Sequence, residues 1–140
     1  MQADFAVINF MQHLGDNLDD LAASKYEWKG DSTTEEEFTI SSLTKPIGEA
    51  YLLIQTYNVG YGDHEILING EPLPDWDFPS HAAIKVWQTW MERIPANRLK
   101  QGTNRIQIVR SSTAKGQADD FLIRSVTVHW REGDLALPVP

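Results

Sequence analysis

The chain of 140 residues contains no cysteine. Disulfides, thiolate nucleophiles and thiolate zinc sites are therefore excluded. No apolar run approaches the roughly 20 residues that a membrane-crossing helix requires. Basic residues are scarce, 12 lysines and arginines against 20 aspartates and glutamates, for a net charge of −8. Phosphate attraction dominates nucleic-acid affinity, so this balance argues against DNA or RNA as a partner, and equally against an anionic membrane surface. The opening residues Met1-Gln2-Ala3-Asp4-Phe5 carry neither a basic region nor a long apolar stretch. The expectation from this is a cytoplasmic protein.

Familiar catalytic patterns are missing too. There is no Gly-x-Ser-x-Gly elbow, and Gly60-Tyr61-Gly62 lacks the following helix that would make it a phosphate loop. His13, His64, His81 and His129 are scattered, with no His-x-x-x-His pair to hold a metal. Glu35-Glu36-Glu37 reads as a solvated connector, because consecutive carboxylates on an extended chain point in different directions. The basic cluster Arg98, Lys100, Arg105 and Arg110 reads as exposed strand and turn residues.

What is present is a folded composition, 41% hydrophobic and 23% charged with five tryptophans. The length fits one domain, residues 1–140, and no repeat or linker divides it. The most informative stretch runs from Ile94-Pro95 to Arg110. Pro95 ends one element, Gly102 supplies a tight turn, and Ile106-Gln107-Ile108-Val109 re-enters the core as a strand.

Other strands are expected along the chain. Asp4 to Phe10 reads as a strand buried on both sides. Gln12 to Ser24 is polar, with Leu14, Leu18 and Leu21 at helix-like spacing, and fits a short helix or a long loop. Lys25 to Lys29 alternates, and Phe38 to Leu43 is a strand. Pro46-Ile47-Gly48 is read as turning the chain. Tyr51 to Val59 is the most apolar strand, expected in a central position covered on both faces. His64 to Ile68 ends at Asn69-Gly70, a hairpin signal. Glu71 to Pro79, with three prolines, reads as an extended loop.

Ala82 to Ile94 has both helical and strand spacings, and its strand neighbours tip the choice to strand. In Asp119 to Arg131 the inward set changes phase near Arg124-Ser125, which a β-bulge would reconcile. Short strands with closely spaced turns predict an all-β sandwich.

Three pieces in order carry a resemblance: Ile66-Leu67-Ile68-Asn69-Gly70-Glu71-Pro72-Leu73, then Ile94-Pro95 with Leu99-Lys100-Gln101-Gly102-Thr103-Asn104 leading into Arg105-Ile106-Gln107-Ile108, then Asp119 to Val128. Together they resemble the galactose-binding-like jelly roll, as in several carbohydrate-binding modules and the sugar-binding domain of family 2 glycoside hydrolases. In that group a strand ends at Asn-Gly and a later segment reads Leu-Lys-x-Gly-x-Asn. The resemblance implies a jelly-roll β-sandwich. It does not imply hydrolysis, because the large barrel bearing the glycosidase acid and nucleophile is lacking. Fold alone does not settle function.

Sugar recognition needs an aromatic face for the pyranose C–H side, and polar groups for the hydroxyls. Tyr57, Tyr61, Trp76, Trp87 and Trp90 are the aromatic candidates, and Asn58, Asp63, His64, Asp75, Asp77 and His81 the polar ones. The expected ligand-binding set is Trp76, Asp75, Asp77, Tyr61, Asp63, His64, His81 and Tyr57. Trp76 leads it, in a proline-flanked loop between two aspartates; the alternative is that it plugs the end of the sandwich. Trp87, Trp90 and Trp130 read as packing residues.

No cofactor is expected from the residues, although the resemblance implies that a structural calcium fits such a fold, with Asp16, Asn17, Asp19 and Asp20, or Asp119-Asp120, as its carboxylate and amide sources. Two functions stay open: a non-catalytic carbohydrate-binding domain, or a protein-interaction or structural accessory module, a homo-oligomer included.

Overall fold

Side chains alternate across each strand, and here that alternation sorts apolar residues into a layer between two sheets. The computed structural model describes residues 2–16, 21, 23–60, 64–74, 85–110 and 120–134. Among them lie nine strands and no helix: β1 (Gln2–Leu14), β2 (Glu27–Gly30), β3 (Glu36–Ile40), β4 (Thr44–Tyr57), β5 (Glu65–Ile68), β6 (Glu71–Pro72), β7 (Trp87–Ile94), β8 (Gly102–Val109) and β9 (Phe121–Asp134). The first sheet has the order β2-β1-β9-β4-β7 and the second β3-β8-β5-β6. Neighbours pair antiparallel except β1 and β2, which are parallel. This is the expected jelly-roll β-sandwich.

The first sheet turns Ile8, Phe10, Leu52, Ile54, Val126, Val128 and Trp130 inward; the second answers with Phe38, Ile40, Ile66, Ile68, Ile106 and Ile108. Phe38 meets Trp130 with ring centroids 6.0 Å apart. Burying each such side chain contributes about 1.5–3 kcal/mol. The phase change expected near Arg124 is real. Ile54 faces Val126 but Thr56 faces Ile123, so β9 carries one extra residue against β4. On the other side β1 bulges at Met11, whose φ is 51°.

Several expectations are corrected. β1 is not buried on both faces: Phe5 is 59% exposed and Val7 also faces solvent, because the second sheet covers only one side of the first. The same holds for β4, which is central but leaves Tyr51 outward. Gln12 to Leu14 continue β1 instead of starting a helix. Pro46-Ile47-Gly48 does not reverse the chain; it lies within β4, where Gly48 at φ 68° accommodates an irregularity in the pairing with β9. Glu71 and Pro72 pair with Ile68 and Leu67 as a two-residue strand. Residues 111–119, between β8 and β9, and the tail from 135 lie outside the described residues.

Arg110 departs most from its expected role. Its side chain is 3% exposed, and its Nη2 donates to Asp16 at 2.6 Å and to Asp31. Burial works to lower its pKa, but hydrogen bonds and charge from Asp31 and Asp16 outweigh that and hold it above its ordinary value. A short β-branched strand thus ends in a cation that ties two loops together.

Two further polar ties fix the ends of the sandwich. Asn104 is fully buried, accepts from Lys100 N at 3.0 Å and from Asn69 Nδ2 at 2.9 Å, and donates to Lys100 O at 2.8 Å. Asn69, in the β5–β6 turn at φ 53°, also accepts from Arg105 N at 2.9 Å. The Asn-Gly turn and the Leu-Lys-x-Gly-x-Asn segment are therefore two halves of one network. At the opposite end, buried His13 sits 3.1 Å from Asp120 Oδ1, and Gly15 packs beside them.

Asn104→Ala should lower stability by about 2–3 kcal/mol, read as a shift of the urea midpoint at unchanged slope, since it removes the four hydrogen bonds of a fully buried side chain. Gly15→Ala should cost about 3 kcal/mol, because a Cβ there would lie 1.6 Å from Asp120 Oδ1. Wild-type midpoints in either variant would refute the corresponding assignment.

Candidate functional site

The outward rows of the first sheet converge on a cleft. Tyr57, the last residue of β4, is registered with Trp87 of β7 on one side and Leu122 of β9 on the other. All three lie out of phase with Ile54, Ile94 and Ile123, which fill the core. The row is thus an outer-face row at one end of the sheet. The segment with Leu21, Ala23, Ser24, Lys25 and Tyr26 forms the opposite wall, its backbone folded back by a bond from Tyr26 N to Ala23 O at 2.9 Å. Lys85, two residues before Trp87, completes the rim. The open cleft has a volume of about 560 Å³, within the range of ligand pockets.

Trp87 is the centre of this arrangement. Its ring lies 5.4 Å from Tyr57 and 5.8 Å from Tyr26, both tilted, and the Arg124 guanidinium sits 6.0 Å from its centroid. It nevertheless remains 44% exposed. An indole held on several sides but open on the rest is a preorganised stacking surface. By contrast, the clefts lined by Glu49, Pro74, Met91 and Arg93, and by Glu35, Asn69, Lys100 and Arg105, contain no aromatic ring.

Of the sequence candidates, Tyr57 lines this cleft. His64 does not: it is fully buried, with its ring 4.4 Å from that of Phe121. Trp76, Asp75, Asp77, Tyr61, Asp63 and His81 lie outside the described residues. Asn58 is turned toward β9, its Nδ2 donating to Asp120 O at 2.9 Å. Among the calcium candidates, Asp16 is taken by Arg110 and Asp120 by His13, while Asn17, Asp19, Asp20 and Asp119 lie outside the described residues.

Trp130 and Trp90 pack as expected. Trp130 is buried, and Trp90 is partly buried with its Nε1 donating to Thr56 Oγ1 at 3.0 Å. Trp87 is the correction: it was expected in the core and faces out. The signal was available, since strand parity puts Trp87 opposite in phase to Trp90 and Ile94. Tyr26, Lys25, Lys85 and Arg124 were missed because nothing local to them marks a cleft that four separate segments assemble.

The fold recurs in solved structures. The CBM36-1 domain of a multidomain xylanase from the hindgut metagenome of Trinervitermes trinervoides superposes with a TM-score of 0.54 at 11% identity, covering 96% of this chain and 100% of that one. Latent PorU from Porphyromonas gingivalis gives a TM-score of 0.59 at 13% identity over 96% of this chain and 13% of that one. A family 35 carbohydrate binding module from an environmental isolate is 26% identical, with a TM-score of 0.48, over 76% of this chain and 72% of that one. None of the curated proteins matches the chain. Residues 2–132 match the family of unknown function DUF7383, and the chain belongs to that family.

Proposed function

We propose that this chain is a non-catalytic carbohydrate-binding domain whose ligand stacks on Trp87 in the cleft between β4, β7 and the segment 21–26. One observation carries the reading: an indole almost half exposed, braced by Tyr57 and Tyr26 in a cleft of about 560 Å³. A pyranose presents a flat C–H face to such a ring, while Ser24 and the two tyrosine hydroxyls offer partners for its hydroxyl groups. The fold shared with a carbohydrate-binding-module domain supports the reading by analogy. Trp76, Asp75, Asp77, Tyr61, Asp63 and His81 stay candidates for contacts to the same ligand on sequence grounds, and Tyr57 joins them on geometry.

A second reading, a protein-interaction module, is favoured by a different surface. Phe5, Val7, Tyr51 and Met91 form two neighbouring outer-face rows on β1, β4 and β7, and Met91 is 61% exposed. His129 stacks between Phe5 and Tyr51, at 5.9 and 4.8 Å. The rings face one another and present edges outward, which suits packing against a protein better than stacking on sugar.

Titration of tryptophan fluorescence with gluco-, galacto- and manno-oligosaccharides tests the first reading. Saturable quenching is expected in the wild type, with affinity at least about tenfold weaker in Trp87→Ala and in Tyr57→Ala. Trp87→Ala should change stability by less than about 1 kcal/mol, because the side chain lies outside the core. Absence of any sugar response would overturn this reading. Concentration-dependent sedimentation, abolished by Val7→Lys with Met91→Lys, would carry the second.

A further inference from the structure

The cleft is charged against the trend of the chain. Net charge is −8, yet the ionised side chains at the cleft among the described residues are Lys25, Lys85 and Arg124, with no carboxylate in the lining. Six cations among the described residues have no ion pair; Lys45, Lys100 and Arg131 are exposed and lie outside the cleft lining, whereas Lys25, Lys85 and Arg124 meet at this cleft. Lys29 pairs with Glu27, Arg93 with Glu49, Arg98 with Glu71, Arg105 with Glu35 and Glu37, and Arg110 with Asp16 and Asp31. Among the described residues, neither Lys25, Lys85 nor Arg124 has a carboxylate within ion-pair distance. In a chain with acids in excess, leaving three cations unpaired around one aromatic cleft sets a local positive potential against an acidic background.

We infer that the cleft selects an anionic saccharide: a pyranose stacked on Trp87, with a carboxylate or sulfate substituent drawn toward Lys25, Lys85 and Arg124. The inference rests on the carbohydrate reading above and adds the ligand's charge. Uronate and sulfate esters share the needed chemistry, a compact oxyanion projecting from the ring plane. Arg124 has two roles in this arrangement. Its guanidinium braces the indole and keeps its charge within reach of a substituent on a ring stacked there. The lysines lie on opposite walls, Lys25 on the segment beside Tyr26 and Lys85 on the approach to β7, so a bound anion would bridge the two sides of the cleft.

The test compares oligouronates (gluco-, galacto- and mannuronate) with their methyl esters, which keep the ring and remove the charge, and with sulfated oligosaccharides of similar length. Binding is read by tryptophan fluorescence and calorimetry on the intact chain. The expected result is a preference of at least about tenfold for the charged form over its ester, falling as salt is raised from about 0.05 M to about 0.5 M. Lys25→Glu with Lys85→Glu should abolish that preference. A stronger response to uronate or to sulfate identifies which anion is the ligand.

Equal binding of acid and ester, or affinity insensitive to salt, overturns the charge inference and leaves the carbohydrate reading standing. Binding of no saccharide, charged or neutral, overturns both. The ester comparison and the salt series are made on the wild type, so the inference is decided even if the double variant does not fold.

Discussion

The pairing of β9 with its two long neighbours governs what this sandwich shows to solvent. One extra residue enters β9 between its contacts with Ile54 and Thr56, and the inward set passes from Val126, Val128 and Trp130 to Phe121 and Ile123. Because side chains alternate with period two, a single inserted residue reverses every later side chain. Without it, either Phe121 and Ile123 or the three residues beyond the bulge would point into water. With it, both halves feed one core, and Leu122 is left beside Tyr57 and Trp87 on the outer face. The cleft is a consequence of how the core is closed.

Polar ties at the two ends hold this arrangement where apolar packing runs out. Asn104 and Asn69 knit the β5–β6 turn to the crossing from β7 to β8 by bonding to each other and to the backbone at Lys100 and Arg105. His13 and Asp120 join the end of β1 to the start of β9, and Arg110 draws the loops at Asp16 and Asp31 to the end of β8. These last contacts gather at the end of the sandwich where the cleft opens. Leu21 and residues 23–26, which line the cleft, come in the sequence between Gly15 and β2, and these two are joined by a bond from Gly15 N to Gly30 O at 2.9 Å.

Electrostatics separates the cleft from the rest of the surface. Elsewhere among the described residues, Lys29, Arg93, Arg98, Arg105 and Arg110 are paired with acids, and Lys45, Lys100 and Arg131 are exposed outside the cleft lining; exposed pairs contribute little to stability. Around Trp87 the lysines and Arg124 keep their charge available. A surface site uses net charge for attraction and aromatic area for dwell time. Here both are supplied by residues that the fold does not need for its core.

How much of this was legible depended on whether the cause was local. Asn69-Gly70 must turn, because both residues adopt positive φ. The sequence around Gly102 and Asn104, the strand at Ile106 to Val109 and the phase change near Arg124 each follow from period-two patterning or turn chemistry, so all-β architecture and jelly-roll type could be read from the chain alone. Which face of β1 and β4 would be covered was not legible, since apolar residues on both sides of a strand cannot say that only one partner sheet exists. Arg110 reads as a surface residue until Asp16 and Asp31 are brought to it. Trp87 sat in plain sequence as one aromatic among several. Its exposure, and its meeting with Tyr26, Tyr57, Lys25, Lys85 and Arg124, required four distant segments to be placed against one another. That placement is set by sheet order and register, which depend on the packing of the whole core and are written in no single stretch of sequence.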